Sequence, residues 1–501
     1  MIGTRPATLA ELARHHPDPA ATAVICGARA LGYGELDRTA DRIAAALVAA
    51  GLEPGARVAY LGLESVDYYA TLLGCARAGM VLVPINFRLT APEIAYILGD
   101  SGTSLLLVDR ALREALGELD ILVVSTEDLP DWYEIHAATA SERAVCPDDA
   151  VVQLYTSGTT GLPKGVVLAH RSFFAVRDAL ADAVLDWIDW QAGDVGLIGI
   201  PGFHVGGLWW ATQGFAAGVT MVAMPRFDSG AAVRLVAQFG VTTVCVVPSM
   251  LRLMLDEPAA ERDALAGVRK VVYGGSPIPE ALLHTAIERL GCEFAQIYGL
   301  TETGNTAICL PPDAHRPGSP LLRAAGRSYP GFGVEIVDAH GTPLPTGEVG
   351  EIRLRTPGRM LEYWRNPEAT ADTLRDGWIH TGDAGYLDAD GYLFLCDRIK
   401  DLIIVAGENI YPAEIENVLA AHPAVADAAV IGRPDERFGE RVHAVVALRP
   451  EATATARDLF EFCRDRLAAF KIPVRFEFAD RIPRNPSGKI LRRELRDRTD
   501  H

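Results

Sequence analysis

Short apolar runs rich in valine and isoleucine alternate along this chain with segments of helical periodicity, and that alternation restricts the possible folds more than any other feature. ELDRTADRIAAALVAAG reads as helix, RVAYLGL as strand, DYYATLLGCARAG as helix and VLVPI as strand. The same grammar returns in GVTMVAMP, AAVRLVAQFG, VTTVCVVP, KVVYGG and PEALLHTAIERLG. A strand that is apolar on both faces must be covered on both, which is the situation of a parallel sheet with helical crossovers. The expected class is therefore α/β, a large amino-terminal domain with parallel-rich sheets and helices. Between about 330 and 400 the pattern changes to short alternating runs cut by Gly, Pro and Asp, as in GVEIVDAHGTPLPTGEVGEIRLRTP and DAGYLDADGYLFLCDR, which predicts hairpins and a small β-barrel. Asp388 and Asp390 read there as turn formers. Beyond Arg398, about 100 residues carry their own helices and strands, including PAEIENVLAAH, ADAAVIG, HAVVALRP and ARDLFEFCRDRLAAF. That length suffices for a small α+β domain. The expected division is 1–399 and 400–501, with the boundary at Lys400.

Composition narrows the function. With 501 residues, 49% hydrophobic and 22% charged, the chain has ordinary globular usage, which excludes fibrous and disordered classes. Lysine plus arginine is 47 against 65 acidic residues, a net charge of -18. Non-specific binding to nucleic acid requires many phosphate-neutralising cations, so no nucleic-acid partner is expected, and any anionic ligand must meet a local basic pocket. The eight cysteines are scattered without a C-x-x-C pair and read as buried reduced thiols. No apolar signal region opens the sequence and no stretch has the length of a membrane span, so a cytoplasmic location is expected. The oligomeric state is left open.

Four segments carry chemistry. In VVQLYTSGTTGLPKG a strand-like run leads into Thr156, Ser157, Gly158, Thr159, Thr160 and Gly161, closed by Lys164. Glycine permits close backbone approach and the hydroxyls add donors, so this loop suits phosphate oxygens, although a plain surface loop has the same composition. It is not a Walker A loop, because Pro163 precedes the lysine and the G-x-x-x-x-G-K-[ST] spacing is missing. In QIYGLTETGN, Tyr298 suits a purine face, Thr301 a phosphate oxygen and Glu302 a divalent cation, while a solvated turn is the plain alternative. Asp383 in HTGD suits a ribose diol. Lys489 in PRNPSGKI follows a Pro-Ser-Gly turn as a swinging point charge, or as a solvated tail lysine. His204, between aromatic and glycine residues in PGFHVGGLWW, suits a gate or orienting group and equally a satisfied core histidine. The G-x-S-x-G, H-E-x-x-H and G-x-G-x-x-G patterns are all missing, which disfavours serine hydrolase, zinc protease and Rossmann dehydrogenase readings.

Taken in order, YTSGTTGLPKG, FHVGG, YGLTETG, TGD, DRIKDLIIVAGENIYPAEIE and PRNPSGKI resemble the signature set of the adenylate-forming superfamily, the class of acyl-CoA synthetases, carrier-protein adenylation domains and firefly luciferase. The detail of DRIKD and GENIYPAEIE is most similar to fatty-acyl and aryl-CoA ligases. The resemblance implies an amino-terminal AMP-binding and acyl-binding domain, a mobile carboxy-terminal domain, and ATP, Mg2+ and coenzyme A as cofactors. By motif, Thr156, Ser157, Gly158, Thr159, Thr160 and Lys164 surround the ATP β- and γ-phosphates, with Thr156 beside the metal. Thr301 contacts the α-phosphate, Glu302 holds magnesium and Tyr298 stacks on adenine. Asp383 and Arg398 match ribose ligands, and Lys400 occupies the hinge. Lys489 bridges the carboxylate and the α-phosphate. Gly275, Ser276, Pro277 and Gly299 are binding positions that border the acid pocket, together with the segment after His204 and the stretch to Asn305.

The resemblance also implies two half-reactions in one site. Attack of a carboxylate on the α-phosphate brings anions together, so positive charge must be focused there, and such electrostatics is usually the largest catalytic term. Rotation at Lys400 then withdraws Lys489 and brings Gly407, Glu408 and Asn409 to the site, where Gly407 leaves room for a pantetheine thiol. The expected activity is ATP-dependent formation of an acyl-adenylate from a small-molecule monocarboxylic acid, fatty or aromatic, then a CoA thioester, with release of pyrophosphate and AMP. A carrier-protein thiol acting in trans, an amine or another nucleophile is the alternative acceptor. Trp209 and Trp210 suit an aryl ring or the core. Where the family often has paired glycines, this chain has Ala406-Gly407.

Overall fold

The structure is a computed structural model, and it describes residues 5–14, 16–136, 143–156, 162–260, 264–398, 401–405, 408–435, 437, 439–464, 466–484 and 490–497. The expected alternation folds into two large sheets. In the nine-stranded sheet, six strands run parallel in the order Glu293–Tyr298, Lys270–Gly274, Thr243–Val246, Val195–Ile198, Thr220–Ala223 and Thr22–Cys26. Antiparallel strands close both of its edges. In the seven-stranded sheet, Ala150–Thr156, Val81–Pro84, Arg57–Leu61, Thr103–Val108 and Leu122–Ser125 are parallel, and the hairpin strand Lys164–Ala169 returns antiparallel on Ala150–Thr156.

One core joins these sheets, with Val58, Leu82 and Leu105 from one and Leu197, Val244 and Val271 from the other. Helices Tyr33–Ala49 and Val66–Ala78 contribute Ile43, Leu47, Leu72 and Leu73 to it. Their close approach depends on Gly74, where a Cβ would lie 2.6 Å from Ile43 Cγ2. The helix Val66–Ala78 starts where the Ser65 side chain accepts from the Tyr68 N–H and stops at Gly79, whose φ of 68° suits a residue without a side chain. Arg77 within it is buried against Asp37 and Asp41 rather than left unpaired.

The strands Gly333–Val337, Gly350–Arg355, Trp378–Leu387, Leu374–Arg375 and Leu393–Arg398 form the antiparallel hairpins expected there, joined in a five-stranded half-barrel sheet. Asp388 Oδ1 accepts from the N–H groups of Asp390 and Tyr392, as a turn former should. The carboxy-terminal residues build their own five-stranded sheet around Val425–Asp435 and Gly439–Leu448, with Ile415, Leu419 and Leu459 in a separate core. This is the α+β unit expected there; Lys400 itself lies outside the described residues.

The cysteines depart in part from expectation. All eight are free, but Cys146 is exposed and Cys292 and Cys396 are half-buried. Burial pushes Cys26, Cys245 and Cys309 up to about 12, so these thiols stay protonated. Trp209 and Trp210 are each 1% exposed, with the Trp210 ring 4.6 Å from Trp190, so both pack in the core. Among the described residues, no helix is long and apolar enough to cross a membrane.

Candidate active site

Three of the motif segments leave the carboxyl ends of parallel strands in the nine-stranded sheet. His204 follows Val195–Ile198, Gly275 to Pro277 follow Lys270–Gly274, and Gly299 to Glu302 follow Glu293–Tyr298. Open α/β sheets bind ligands outside these strand ends. The loop turns are tightly constrained. A Cβ on Gly299 would lie 2.5 Å from the Asn305 carbonyl oxygen, and Gly275 has φ +83°. Behind that second loop, His315 Nδ1 lies 2.9 Å from the Pro311 carbonyl, which can only accept, so Nε2 accepts from the Tyr273 hydroxyl at 3.0 Å. Burial holds this imidazole near 4 and so keeps it neutral.

The residues expected on the phosphate side are gathered from distant parts of the chain. Thr156 and Lys164 face each other across the hairpin. Strand Glu362–Tyr363 pairs antiparallel with the lysine-bearing strand, which sets Tyr363 beside it. Lys164 Nζ lies 5.0 Å from the centroid of the Tyr363 ring, and the Tyr363 hydroxyl donates to Glu302 Oε1 at 2.6 Å. The Glu302 backbone is held as well, its carbonyl accepting from Met360 N–H at 2.8 Å. Thr301 and Glu302 occupy a single 3-10 turn, Thr301–Thr303. A cation, an aromatic ring and a carboxylate thus meet in the turn that also carries Thr301.

The expected nucleoside residues also meet. Tyr298 donates its hydroxyl to Asp383 Oδ2 at 2.8 Å, and Asp383 lies opposite Arg398 in the strand register. Asp383 is only 8% exposed and takes its backbone bond from N–H to Thr381 Oγ1 at 3.1 Å.

His204 is lowered to about 4 by burial, with Arg88 adding repulsion, so it is neutral at ordinary pH and unsuited to act as a cationic acid. It packs against Phe203 at 4.7 Å, and Nε2 is buried without a hydrogen-bond partner among the described residues. The satisfied core histidine considered from sequence is therefore not what forms. Glu408 and Asn409 lie in strand Glu408–Ile410, paired with Val405 and Ile404. Ser157, Gly158, Thr159, Thr160, Lys400, Gly407 and Lys489 lie outside the described residues.

Sequence reasoning missed Tyr363, which sits in LEYWRN without a local signal and acquires its place only by cross-strand pairing. It also missed a clamp on the loop before His204. Tyr68 donates to the Gly202 carbonyl at 2.7 Å, while Glu64 accepts from the Gly202 N–H and the Tyr69 hydroxyl. Burial raises Glu64 to about 8 in spite of both bonds.

Among the described residues no group of three His, Cys, Asp or Glu side chains could hold a metal ion. A lone carboxylate at Glu302 nevertheless suits magnesium, which keeps waters and shares one or two carboxylates with substrate phosphates.

This arrangement of parallel strand ends, phosphate-side cation and buried aspartate has a counterpart among known families. The AMP-binding enzyme family model matches residues 9–364, and the AMP-binding enzyme C-terminal domain model matches residues 414–489. The chain belongs to the AMP-binding enzyme family, and thereby to the adenylate-forming acyl ligases. It is 59% identical over 487 residues to the fatty acid–[acyl-carrier-protein] ligase ScoC of Streptomyces coeruleorubidus, covering 96% of this chain and 94% of that protein. It is 39% identical over 502 residues to a feruloyl-CoA synthase of an Amycolatopsis species, covering 97% of both. Among solved structures, o-succinylbenzoate CoA synthetase (MenE) from Bacillus subtilis, in complex with its acyl-adenylate intermediate, superposes with a TM-score of 0.87 at 31% identity, covering 99% of both chains.

Proposed function

We propose that this chain activates a monocarboxylic acid, aliphatic or aromatic, at the expense of ATP and passes the acyl group to a phosphopantetheine thiol. The observation that carries this reading is the meeting of Lys164, Tyr363 and Glu302 beside Thr301, with Tyr298 bonded to Asp383. In the first half-reaction a carboxylate oxygen attacks the α-phosphorus, and the bond to the β-phosphate oxygen breaks to release pyrophosphate. Lys489 bridges the carboxylate and the α-phosphate, Thr301 donates to that phosphate, and Lys164 with Thr156 to Thr160 cradles the β- and γ-phosphates. Tyr298 covers the adenine, while Asp383 and Arg398 take the ribose. Magnesium bound at Glu302 would neutralise charge on the phosphate oxygens. In the second half-reaction the thiol sulfur attacks the acyl carbon and AMP leaves. Lys400 is the hinge between residues 1–399 and 400–501, and its rotation brings Gly407 to the thiol path.

The thiol belongs first to an acyl carrier protein acting in trans. Support for this is the 59% identity to a carrier-protein ligase, against 39% to a CoA ligase. Coenzyme A, put first by sequence motifs, is the second reading. We place the enzyme in the cytosol, in keeping with eight free cysteines. The test is acid-dependent pyrophosphate exchange over a panel of carboxylic acids, followed by mass spectrometry of products formed with holo-carrier protein or CoA. Release of ADP in place of AMP would sink the mechanism, and a CoA thioester formed faster than the carrier thioester would reverse the choice of acceptor.

A further inference from the structure

Asn305 closes the loop that begins at Gly299 and has a φ of 98°, directly after Gly304 at 75°. Asparagine and glycine are the residues that best tolerate this region, so the backbone alone accounts for either one. The side chain needs a separate reason. Its Nδ2 is buried without a hydrogen-bond partner among the described residues, and a Cβ on Gly206 would lie 3.6 Å from its Oδ1. Gly206 lies in the first turn of helix Val205–Ala217, immediately after His204, whose Nε2 is likewise buried and unpartnered. Two segments that border the acid pocket in the proposed reading therefore meet at Asn305 and Gly206, and each brings a polar nitrogen that nothing among the described residues satisfies. A buried amide N–H left unpaired costs free energy, and native structures retain such a group when something outside the chain completes it. Ile200 Cδ1 would lie 3.2 Å from the same Gly206 Cβ, and although Arg88 acts on His204 from outside, the stretches 204–210, 273–277 and 299–305 themselves contain no lysine or arginine.

We propose that Asn305 is a specificity-determining residue that selects a monocarboxylic acid whose acyl chain carries an uncharged hydrogen-bond acceptor, a hydroxyl or carbonyl oxygen, received by the Asn305 amide. This rests on the adenylation reading and adds the class of acid to it. The Asn305 amide is a neutral donor, which matches an uncharged oxygen and by itself compensates the desolvation of a second carboxylate poorly. A site built to hydrogen-bond a substrate group rejects the analogue that lacks it far more strongly than an apolar pocket rejects one methylene.

The test is pyrophosphate exchange with straight-chain acids of about four to eight carbons, each paired with its hydroxy and oxo analogues. Wild type should favour the polar member of the best pair by ~10-fold or more in kcat/KM. Asn305→Gly keeps the positive-φ backbone and deletes the amide; it should bring that ratio to within about twofold of unity, mainly through the polar acid, with the KM for ATP unmoved. Asn305→Asp keeps the shape and exchanges the donor for an acceptor, so it should discriminate against oxo acids while still taking hydroxy acids. If wild type favours the plain acids, or if Asn305→Gly and Asn305→Asp both retain the wild-type ratio, the assignment of Asn305 is overturned while adenylation stands. Failure of wild type to exchange pyrophosphate with any acid would overturn both.

Discussion

The single segment 298–305 serves two environments that are built in opposite ways. At its start, Tyr298 and Glu302 have their oxygens engaged, one on Asp383 and the other with Tyr363, close to a lysine. At its end, Asn305 and the neighbouring His204 are neutral and hold nitrogens without partners among the described residues. Paired groups are already oriented and stay put when a highly charged ligand arrives, which is the preorganisation that phosphate chemistry needs. Unpaired neutral donors do the reverse: they penalise the empty or wrongly filled pocket and so discriminate between ligands. The difference teaches that, on the proposed reading, the phosphate side works by fixed charge, whereas the acid side chooses by completion of hydrogen bonds.

The largest expected effect would break the comparison outright. Lys489→Ala should lower acid-dependent pyrophosphate exchange by ~10²-fold or more, the scale of losing one transition-state donor, while thioester formation from supplied acyl-adenylate persists. Full exchange with lost thioester formation would show the charge to be used in the wrong half-reaction. Gly407→Leu is expected to give the opposite pattern, exchange retained and thioester formation reduced. Next, Glu302→Gln should reduce exchange by ~10-fold or more and raise the magnesium requirement, because the neutral amide binds a hard cation poorly. Tyr363→Phe removes one hydrogen bond to that carboxylate, and a loss of roughly 1 kcal/mol would lower kcat/KM for ATP about fivefold. Were Tyr363→Phe as damaging as Glu302→Gln, the ring would be more than a support for the carboxylate.

The smallest effect concerns stability, and it sharpens the acid side. Glu64 holds the Gly202 peptide before His204, and its folded value of about 8 stands above the ordinary 4.5. Because the folded value is raised, its contribution to stability is fully present below pH ~4.5 and is lost as pH rises toward 8. Glu64→Gln lacks this titration and should show a smaller fall in Tm between pH 5 and pH 9, by thermal melts in matched buffers. A parallel fall in both proteins would mean that Glu64 is ionised in the fold. His204 is different: with a value of about 4, it contributes no titration to activity between pH 6 and 9.

Much of the architecture follows from local patterns. Helix Val66–Ala78 matches its predicted segment to within one residue and strands Arg57–Leu61 and Val81–Pro84 fall within theirs, because period and length alone separate a buried strand from a long helix. The motifs carrying Lys164, Glu302 and Asp383 were also readable, since residue type and order along a chain are enough to mark them. Their partners were not. Tyr363 reaches Glu302 through an antiparallel strand far away in sequence, and Glu64 reaches Gly202 across some 138 positions of chain. Likewise the burial of Trp209 and Trp210, and the unpaired nitrogens of His204 and Asn305, depend on what other segments bring to the same volume. Spacing along the chain determined which chemical groups this protein owns and the elements that bear them; only packing decided which groups face each other, because hydrogen bonding and desolvation act over ångströms in space and not over residues in sequence.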